Sequence, residues 1–497
     1  MSWHGSGLLR FLAPLIAGAL FPLGLSPFDI WIMVPLSSAL FAALLHSDTP
    51  HGAVWLGWRY GLGFFGVGAS WVYVSINVYG GAPPWLATLL TALFCSGLAI
   101  LFAAQGALYA RWFKPRGWSA ALLAFPALWV LFEWLRSWLL TGFPWLYAGY
   151  ASLDTPVAGW APMIGVYGAS LWLVGLGSAC VALFLASGKA RRLLTLALTS
   201  IAIIGAAGEG LKNVSWTQPS GEVLTVAIYQ PNIPLNEKWD RRLFNQHLNQ
   251  YREASLPAFT SADILLWPES ALPAYRHQVS DYLREIRDHA IATETTLITG
   301  IPIRAASGQH NSIMAIGLGH GEHHKQKLVP FGEYVPLERW LRGLIKFFDL
   351  PMSNFAPGPE QQAVLWAGSH QIAPFICYEI VYPDFVTKNS RGADFLVTVS
   401  NDSWFGDSIG PLQHLQMARF RALETGRPLL RGTNNGVSAI INPAGNIEAA
   451  TDQSVETLLQ GKITPRQGNT PIMVTGSWPV LLICLFILLS FARRSRR

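Results

Sequence analysis

Hydrophobic residues are distributed very unevenly along these 497 positions. Seven apolar runs fall near 7–24, 29–46, 53–76, 84–110, 119–139, 157–187 and 193–209, and an eighth near 471–491. A helix needs roughly 20 such residues to cross a bilayer. Gly and Pro interrupt several runs, which membrane helices tolerate where neighbours cover the freed backbone groups. Between 211 and 470 the pattern changes to short β-prone runs alternating with helical periodicity. Strands are predicted at 223–230, 263–267, 295–302, 311–318, 371–377, 394–400 and 433–442, and helices at 239–255, 280–292, 382–390 and 411–425. The last of these helices places Leu412, Leu415, Ala418 and Ala422 on one face. Such alternation predicts an α/β domain whose helices cover sheet faces. The expected organisation is a polytopic α-helical membrane domain over 1–210, an α/β domain over 211–470, and an eighth span with a basic tail over 471–497.

Charge sharpens this division. Only 13% of residues are charged, against roughly 25% in soluble proteins. Residues 1–210 and 471–497 hold 13 Lys/Arg and 5 Asp/Glu, whereas 211–470 hold 22 and 24. The net +6 is therefore concentrated in the apolar flanks, where it signals topology and excludes a nucleic-acid footprint. Arg111, Lys114 and Arg116 follow the fourth run; Lys189, Arg191 and Arg192 follow the sixth; Arg493, Arg494, Arg496 and Arg497 follow the eighth. Eight spans with both termini cytoplasmic put all three clusters inside. The loops at 77–84 and 140–156, free of Lys and Arg, then lie outside with the α/β domain. Arg10 and Ala17-Gly18-Ala19 also permit a cleaved signal peptide; cleavage would change no side downstream, and an uncleaved span is the reading adopted. On the fifth run Glu133 and Arg136 stand three apart near its outer end. They form either a structural ion pair, or a site where Arg136 faces a lipid phosphate or carbonyl.

Of the four cysteines, Cys95, Cys180 and Cys484 lie in apolar runs, where a thiol packs as a small hydrophobe. Cys377 alone belongs to the α/β domain, so it has no disulfide partner there. It closes the β-prone run Ala373-Pro374-Phe375-Ile376-Cys377-Tyr378-Glu379. Glu269 ends another, in Trp267-Pro268-Glu269-Ser270, and Lys325 opens Lys325-Gln326-Lys327-Leu328-Val329-Pro330-Phe331-Gly332-Glu333. Glu269, Cys377 and the turn Ser400-Asn401-Asp402 all follow predicted strand C-terminal ends, which is where α/β sheets gather their sites. A thiol near its ordinary pKa of about 8.5 is mostly protonated at neutral pH and needs a base. Nothing in the sequence places His310, His320, His323, His324, His370 or His414 beside Cys377. Glu269 as base and Lys325 as stabiliser of developing negative charge make a chemically sufficient alternative. Glu333 and Glu379 would support them. The run His320-Gly321-Glu322-His323-His324 lacks metalloprotease spacing, so no metal or other cofactor is expected.

These motifs, in this order, resemble the nitrilase superfamily's Glu-Lys-Cys triad. With the membrane flanks, Asn401-Asp402-Ser403-Trp404-Phe405-Gly406-Asp407 and Arg427-Pro428-Leu429-Leu430-Arg431-Gly432-Thr433-Asn434-Asn435-Gly436, the chain is similar to the apolipoprotein N-acyltransferase family along essentially its whole length. The resemblance implies an αββα sandwich inserted before the last span of a bacterial inner-membrane protein, with the catalytic domain facing the periplasm. It implies attack by Cys377 on the sn-1 ester of a phospholipid, then transfer from the thioester to the α-amine of a diacylglyceryl-cysteine on an apolipoprotein. Trp239 and Tyr378 would flank the acyl or lipid site. The apolar stretch from Phe347 to Ala356 is either packed beneath the domain or serves as a lid that admits lipid and excludes water. Two other readings use the same residues: a membrane-tethered amidase or nitrilase, and a non-catalytic receptor or transporter with an unreactive Cys377.

Overall fold

The computed structural model describes residues 7–334 and 354–493. The chain forms two compact units: one holds the chain up to Tyr73, Pro83–Val214 and the chain from Thr475 onward, and the other holds Val74–Ala82 with Ser215–Val474.

In the first unit, Gly7–Gly24, Pro84–Arg116, Pro156–Leu185 and Gly188–Leu211 are long and apolar enough to cross a membrane. Pro50–Gly68 and Val72–Tyr79 qualify together but bend by 65° between them. Met33–Ser47 and Trp478–Ala492 are shorter apolar helices, and the run near 119–139 gives a helix over Phe125–Arg136 behind a wide turn at Ala120–Ala124. Among the described residues, four helices thus reach spanning length, or five with the bent pair, where the hydrophobic pattern predicts eight spans. The shortfall is one of helix length: turns and Gly-Pro joints cut the apolar runs. Packing within this unit depends on small residues and aromatics. A Cβ on Gly18 would collide with the Tyr60 carbonyl, and one on Gly63 with the Leu15 carbonyl, so these two helices approach backbone to backbone. Phe41 stacks on Tyr60 at 4.2 Å between ring centroids, and the Ser37 hydroxyl donates to the Ala17 carbonyl at 2.6 Å.

The second unit is built on two six-stranded sheets. Its strands are β1 (Leu224–Gln230), β2 (Ile264–Leu266), β3 (Thr296–Ala305), β4 (Gly308–Gly317) and β5 (Glu322–His324). There follow β6 (Leu365–Ala367), β7 (His370–Ile376), β8 (Phe395–Ser400), β9 (Leu429–Thr433), β10 (Ala439–Ile441), β11 (Ile447–Ala450) and β12 (Thr457–Ile463). One sheet has the order β12-β1-β2-β3-β4-β5 and the other β11-β10-β9-β8-β7-β6. Each has a parallel centre, β1-β2-β3 and β7-β8-β9, with antiparallel strands outside it.

Strand alternation explains the layers. Val226 and Ile228 of β1 join Ile372, Ile376, Val397 and Val399 in a core between the sheets. Ala227 and Tyr229 turn to the opposite face, against Tyr251, Phe259, Leu283 and Ile286 of helices α1 (Phe244–Phe259) and α2 (Ser280–Ala292). On the other sheet, Phe375 meets Phe385 of α3 (Pro383–Asn389), and α4 (Gly410–Thr425) packs beside it. The four layers are helix, sheet, sheet and helix.

Two expectations change here. The single strand predicted at 433–442 is the end of β9, a buried turn and then β10, because Asn434-Asn435-Gly436 turns the chain back. Helix α4 is not amphipathic: His414, Arg421 and Glu424 are as buried as Ala418, so polar contacts as well as apolar packing hold it.

Candidate active site

Three strand ends carry the chemistry. β2 runs out through Trp267, whose N–H donates to the Ile298 carbonyl at 2.9 Å, and the chain then turns at Glu269. Ser270 takes φ 46°. A side chain on Gly300 would strike the backbone of Pro268–Ser270, so the bare strand is what lets Glu269 approach. Lys325 follows β5, its N–H tied to the Asn311 carbonyl at 2.8 Å. Cys377 follows β7 with φ 49°, a left-handed conformation that costs a non-glycine residue and concentrates at functional sites. It opens the tight turn Cys377–Val381.

The side chains converge. Lys325 Nζ lies 2.8 Å from Glu333 Oε2 and 3.5 Å from Glu269 Oε1. The Asn311 amide donates to Glu269 Oε1 at 2.7 Å and to Glu333 Oε1 at 2.8 Å, bridging the two carboxylates. Glu269 Oε2 accepts the Asn401 N–H at 2.8 Å, and Glu333 Oε2 accepts the Val329 N–H at 2.9 Å. Burial acts to lower the Lys325 pKa, but Glu333, Glu269 and Cys377 together outweigh it and raise it above the ordinary lysine value. Burial is also the largest influence on Cys377; with Glu269 and Asp402 it pushes the thiol up to about 12, against the opposing pull of Lys325 and Ser400. The resting thiol is therefore neutral near pH 7 and faces both a carboxylate and an ammonium. This combination can deliver a sulfur nucleophile only as its proton is removed.

Glu379 is fully buried and ties the lysine loop to the cysteine turn. Its oxygens accept the N–H groups of Gln326 at 2.6 Å and Ile376 at 2.9 Å, and His323 Nε2 stands 3.2 Å away. Burial opposes ionisation, yet His323 and these backbone donors hold its pKa below the usual value. Tyr378 is buried and packs edge-on to Tyr382 at 5.3 Å. Trp239 is 38% exposed at the end of the short helix Leu235–Lys238. Arg136 is not among this group: it belongs to the other unit, is 4% exposed, and donates to the carbonyls of Trp145 at 2.9 Å and Leu146 at 3.2 Å. Its partner in sequence, Glu133, accepts from Trp129 Nε1 at 2.9 Å and Ala148 N–H at 2.8 Å. Of the apolar stretch at 347–356, residues 347–353 lie outside the described residues. The Phe355 N–H donates to the Glu333 carbonyl at 3.0 Å.

Several neighbours escape a reading of local sequence. Asn311 appears only as a polar interruption in a β-prone run. Lys238 is buried, donates to the Glu269 carbonyl at 2.9 Å, and is lowered to about 8 by burial, with Glu269 opposing. His414 does stand beside Cys377, but its Nε2 faces the backbone carbonyl at 3.1 Å. Behind it Asp402 pairs with Arg431 Nη2 at 2.6 Å.

Comparison with known proteins places this geometry. Residues 225–470 match the carbon-nitrogen hydrolase family, and residues 17–179 match the apolipoprotein N-acyltransferase N-terminal domain. The second unit thus has the carbon-nitrogen hydrolase fold. Over 495 residues the chain is 46% identical to an apolipoprotein N-acyltransferase of Pseudomonas syringae pv. tomato, covering 98% of this chain and 96% of that one. Over 482 residues it is 42% identical to one of Coxiella burnetii, covering 96% and 99%. Among solved structures, a CN-hydrolase superfamily protein of Xanthomonas campestris aligns with a TM-score of 0.38 and 18% identity, over 53% of this chain and 97% of that one. The chain belongs to the apolipoprotein N-acyltransferase family.

Proposed function

We propose that this enzyme N-acylates lipoproteins, taking an acyl chain from the sn-1 position of a phospholipid and passing it through Cys377 to a diacylglyceryl-cysteine α-amine. The observation that carries the mechanism is a neutral, half-buried thiol flanked by Glu269 and Lys325, in a chain that shares its family along nearly its full length. The Cys377 sulfur attacks the ester carbonyl while its proton passes to Glu269. Negative charge on the carbonyl oxygen is met by the Lys325 ammonium, which Glu333 and Glu269 keep charged. The tetrahedral intermediate collapses to a thioester; the departing alkoxide takes the proton from Glu269 and leaves as lysophospholipid. In the second half, the acceptor amine attacks the thioester, Glu269 accepts a proton from nitrogen, and the sulfur departs and is reprotonated. A thioester keeps the ester's transfer potential and the amide product does not return it, so ping-pong kinetics follow. Glu333 fixes Lys325, Glu379 fixes the cysteine turn, and Trp239 and Tyr378 border the lipid.

The same proposal places the protein in the bacterial inner membrane. The support is the set of spanning-length helices and the basic clusters, which an eight-span chain with cytoplasmic termini puts on one side. Residues 211–470 then work on the periplasmic side.

Intact mass of the protein after exposure to phospholipid vesicles tests the chemistry. Wild type should gain one acyl chain, lost on adding hydroxylamine or an acceptor peptide amine, and a Cys377→Ser variant should gain it far more slowly. Absence of both the adduct and lysophospholipid from wild type would leave an amidase as the better reading.

A further inference from the structure

The turn after β8 touches both reacting groups. In the parallel pairing of β7 and β8, Ile376 stands opposite Val399, so the next residues, Cys377 and Ser400, emerge side by side. The Ser400 hydroxyl lies close enough to the Cys377 sulfur to favour its ionised form. It also donates to Asp402 Oδ1 at 2.6 Å. The intervening Asn401 N–H is the donor to Glu269 Oε2. Three successive residues therefore meet the thiol, the carboxylate and the charge behind them.

That charge is firmly held. Asp402, His414 and Arg431 are each at most 1% exposed. Arg431 Nη2 donates to Asp402 Oδ2 at 2.6 Å and lies 3.2 Å from His414 Nδ1. Burial and Arg431 push the His414 pKa down against the opposing pull of Asp402; its Nε2 meets the Cys377 carbonyl, and its Nδ1 lies 3.2 Å from both Asp402 Oδ1 and Arg431 Nη2. An imidazole arranged this way steadies the left-handed cysteine, its Nε2 being engaged by the backbone carbonyl. A Cβ on Gly436 would collide with Asp402, which confines the carboxylate from the remaining side.

We propose that Ser400 is a further catalytic residue, whose hydroxyl swings from Asp402 to the Cys377 sulfur as negative charge forms there, with Asp402, His414 and Arg431 as its positioning residues. No covalent bond changes in this motion: the thiol proton goes to Glu269, the Ser400 hydrogen keeps its oxygen, and Asp402 retains Arg431. Of the groups that act on the sulfur, Glu269 and Asp402 oppose the thiolate, and Lys325 and Ser400 favour it. The catalytic meaning rests on the acyl-transfer reading above, but the sulfur's reactivity can be measured without any lipid.

The experiment is iodoacetamide labelling of Cys377 in the full-length protein, followed by peptide mass mapping between pH 7 and 9.5. Loss of one hydrogen bond to a charged group should slow labelling about tenfold in Ser400→Ala at every pH. Ser400→Thr, which restores a hydroxyl, should stay within about threefold of wild type. In phospholipid vesicles, Ser400→Ala should form acyl-enzyme about tenfold more slowly with an unchanged dependence on lipid concentration. Equal labelling of Ser400→Ala and wild type would overturn the proposal, as would Ser400→Thr labelling as slowly as Ser400→Ala. If wild type labels as expected but never acquires an acyl chain, the acyl-transfer reading fails and the assignment of Ser400 to the sulfur stands.

Discussion

At the scale of single residues, the site is an arrangement of opposed charges in which removal of any one is felt by the rest. Lys325 is the cation between two buried carboxylates that share the Asn311 amide. Replacing Lys325 with Met leaves those carboxylates facing each other, and removal of one partner from a buried ionic group costs about 3–5 kcal/mol. Thermal unfolding should report that loss together with loss of acyl-enzyme. Glu269→Gln is a different case: the side chain keeps its size, but with a thiol at about 12 no other route to the nucleophile is efficient. Acyl-enzyme formation should fall by about 10²–10⁴, measured as the initial rate of lysophospholipid release. The thiol also has a signed effect on folding. A folded pKa of about 12 against roughly 8.5 in the unfolded chain favours the protonated, folded state. That contribution is complete below pH 8.5 and declines as pH rises toward 12. Cys377→Ala should therefore flatten the alkaline limb of the stability profile, as read from melting temperatures between pH 8 and 10. Glu269, Lys325 and Cys377 were legible because each ends or follows an apolar run. The Ser400-Asn401-Asp402 turn was legible as a strand end, but not what it touches, and Asn311 was not legible at all, because these contacts come from strand neighbours far away in sequence.

At the scale of elements, pattern alone identified what is buried on one face and lost what is buried on all sides or on none. Helix α2 matches its predicted range because its apolar positions recur on a single stripe. β11 and β12 left no readable run, since β11 is largely exposed and β12 mostly half-buried along both faces. Helix α4 carries buried charge, so its polar residues read as a solvated face when they are internal. The β9–β10 turn was hidden inside a run of strand-like residues, and Gly436 within it is required by the nearness of Asp402. Gly436→Ala should cost about 1–3 kcal/mol by overpacking and displace Asp402 from Arg431. A loss of melting temperature, with a larger proportional loss of acyl-enzyme rate than for an exposed control substitution, is the expected result.

At the scale of the whole molecule, the division into apolar flanks and a charged centre was plain from composition, whereas the fate of individual runs was not. Turns after Pro27 and around Gly117 shorten helices that hydropathy alone would extend. The expected eight-span topology is open to a direct check at the exposed hairpin turn Ala306–Ser307 between β3 and β4. A cysteine replacing Ala306 should react with a membrane-impermeant maleimide in cells with a permeabilised outer barrier, and labelling only after lysis would reverse the orientation. The run predicted as a third span over 53–76 instead ends as a helix at Gly68. Its continuation Val74–Ala82 is part of the second unit, where the Ser75 hydroxyl donates to the Trp404 carbonyl at 2.7 Å and Tyr79 packs against the Trp404 ring. For anyone wishing to express the hydrolase-fold portion by itself, that segment is a missing part. A fragment cut at Ser215 and Val474 lacks nine residues of its own tertiary structure. A graft that fuses Val74–Ala82 onto such a fragment, or a synthetic peptide of that sequence added during refolding, is the rational route to a soluble preparation.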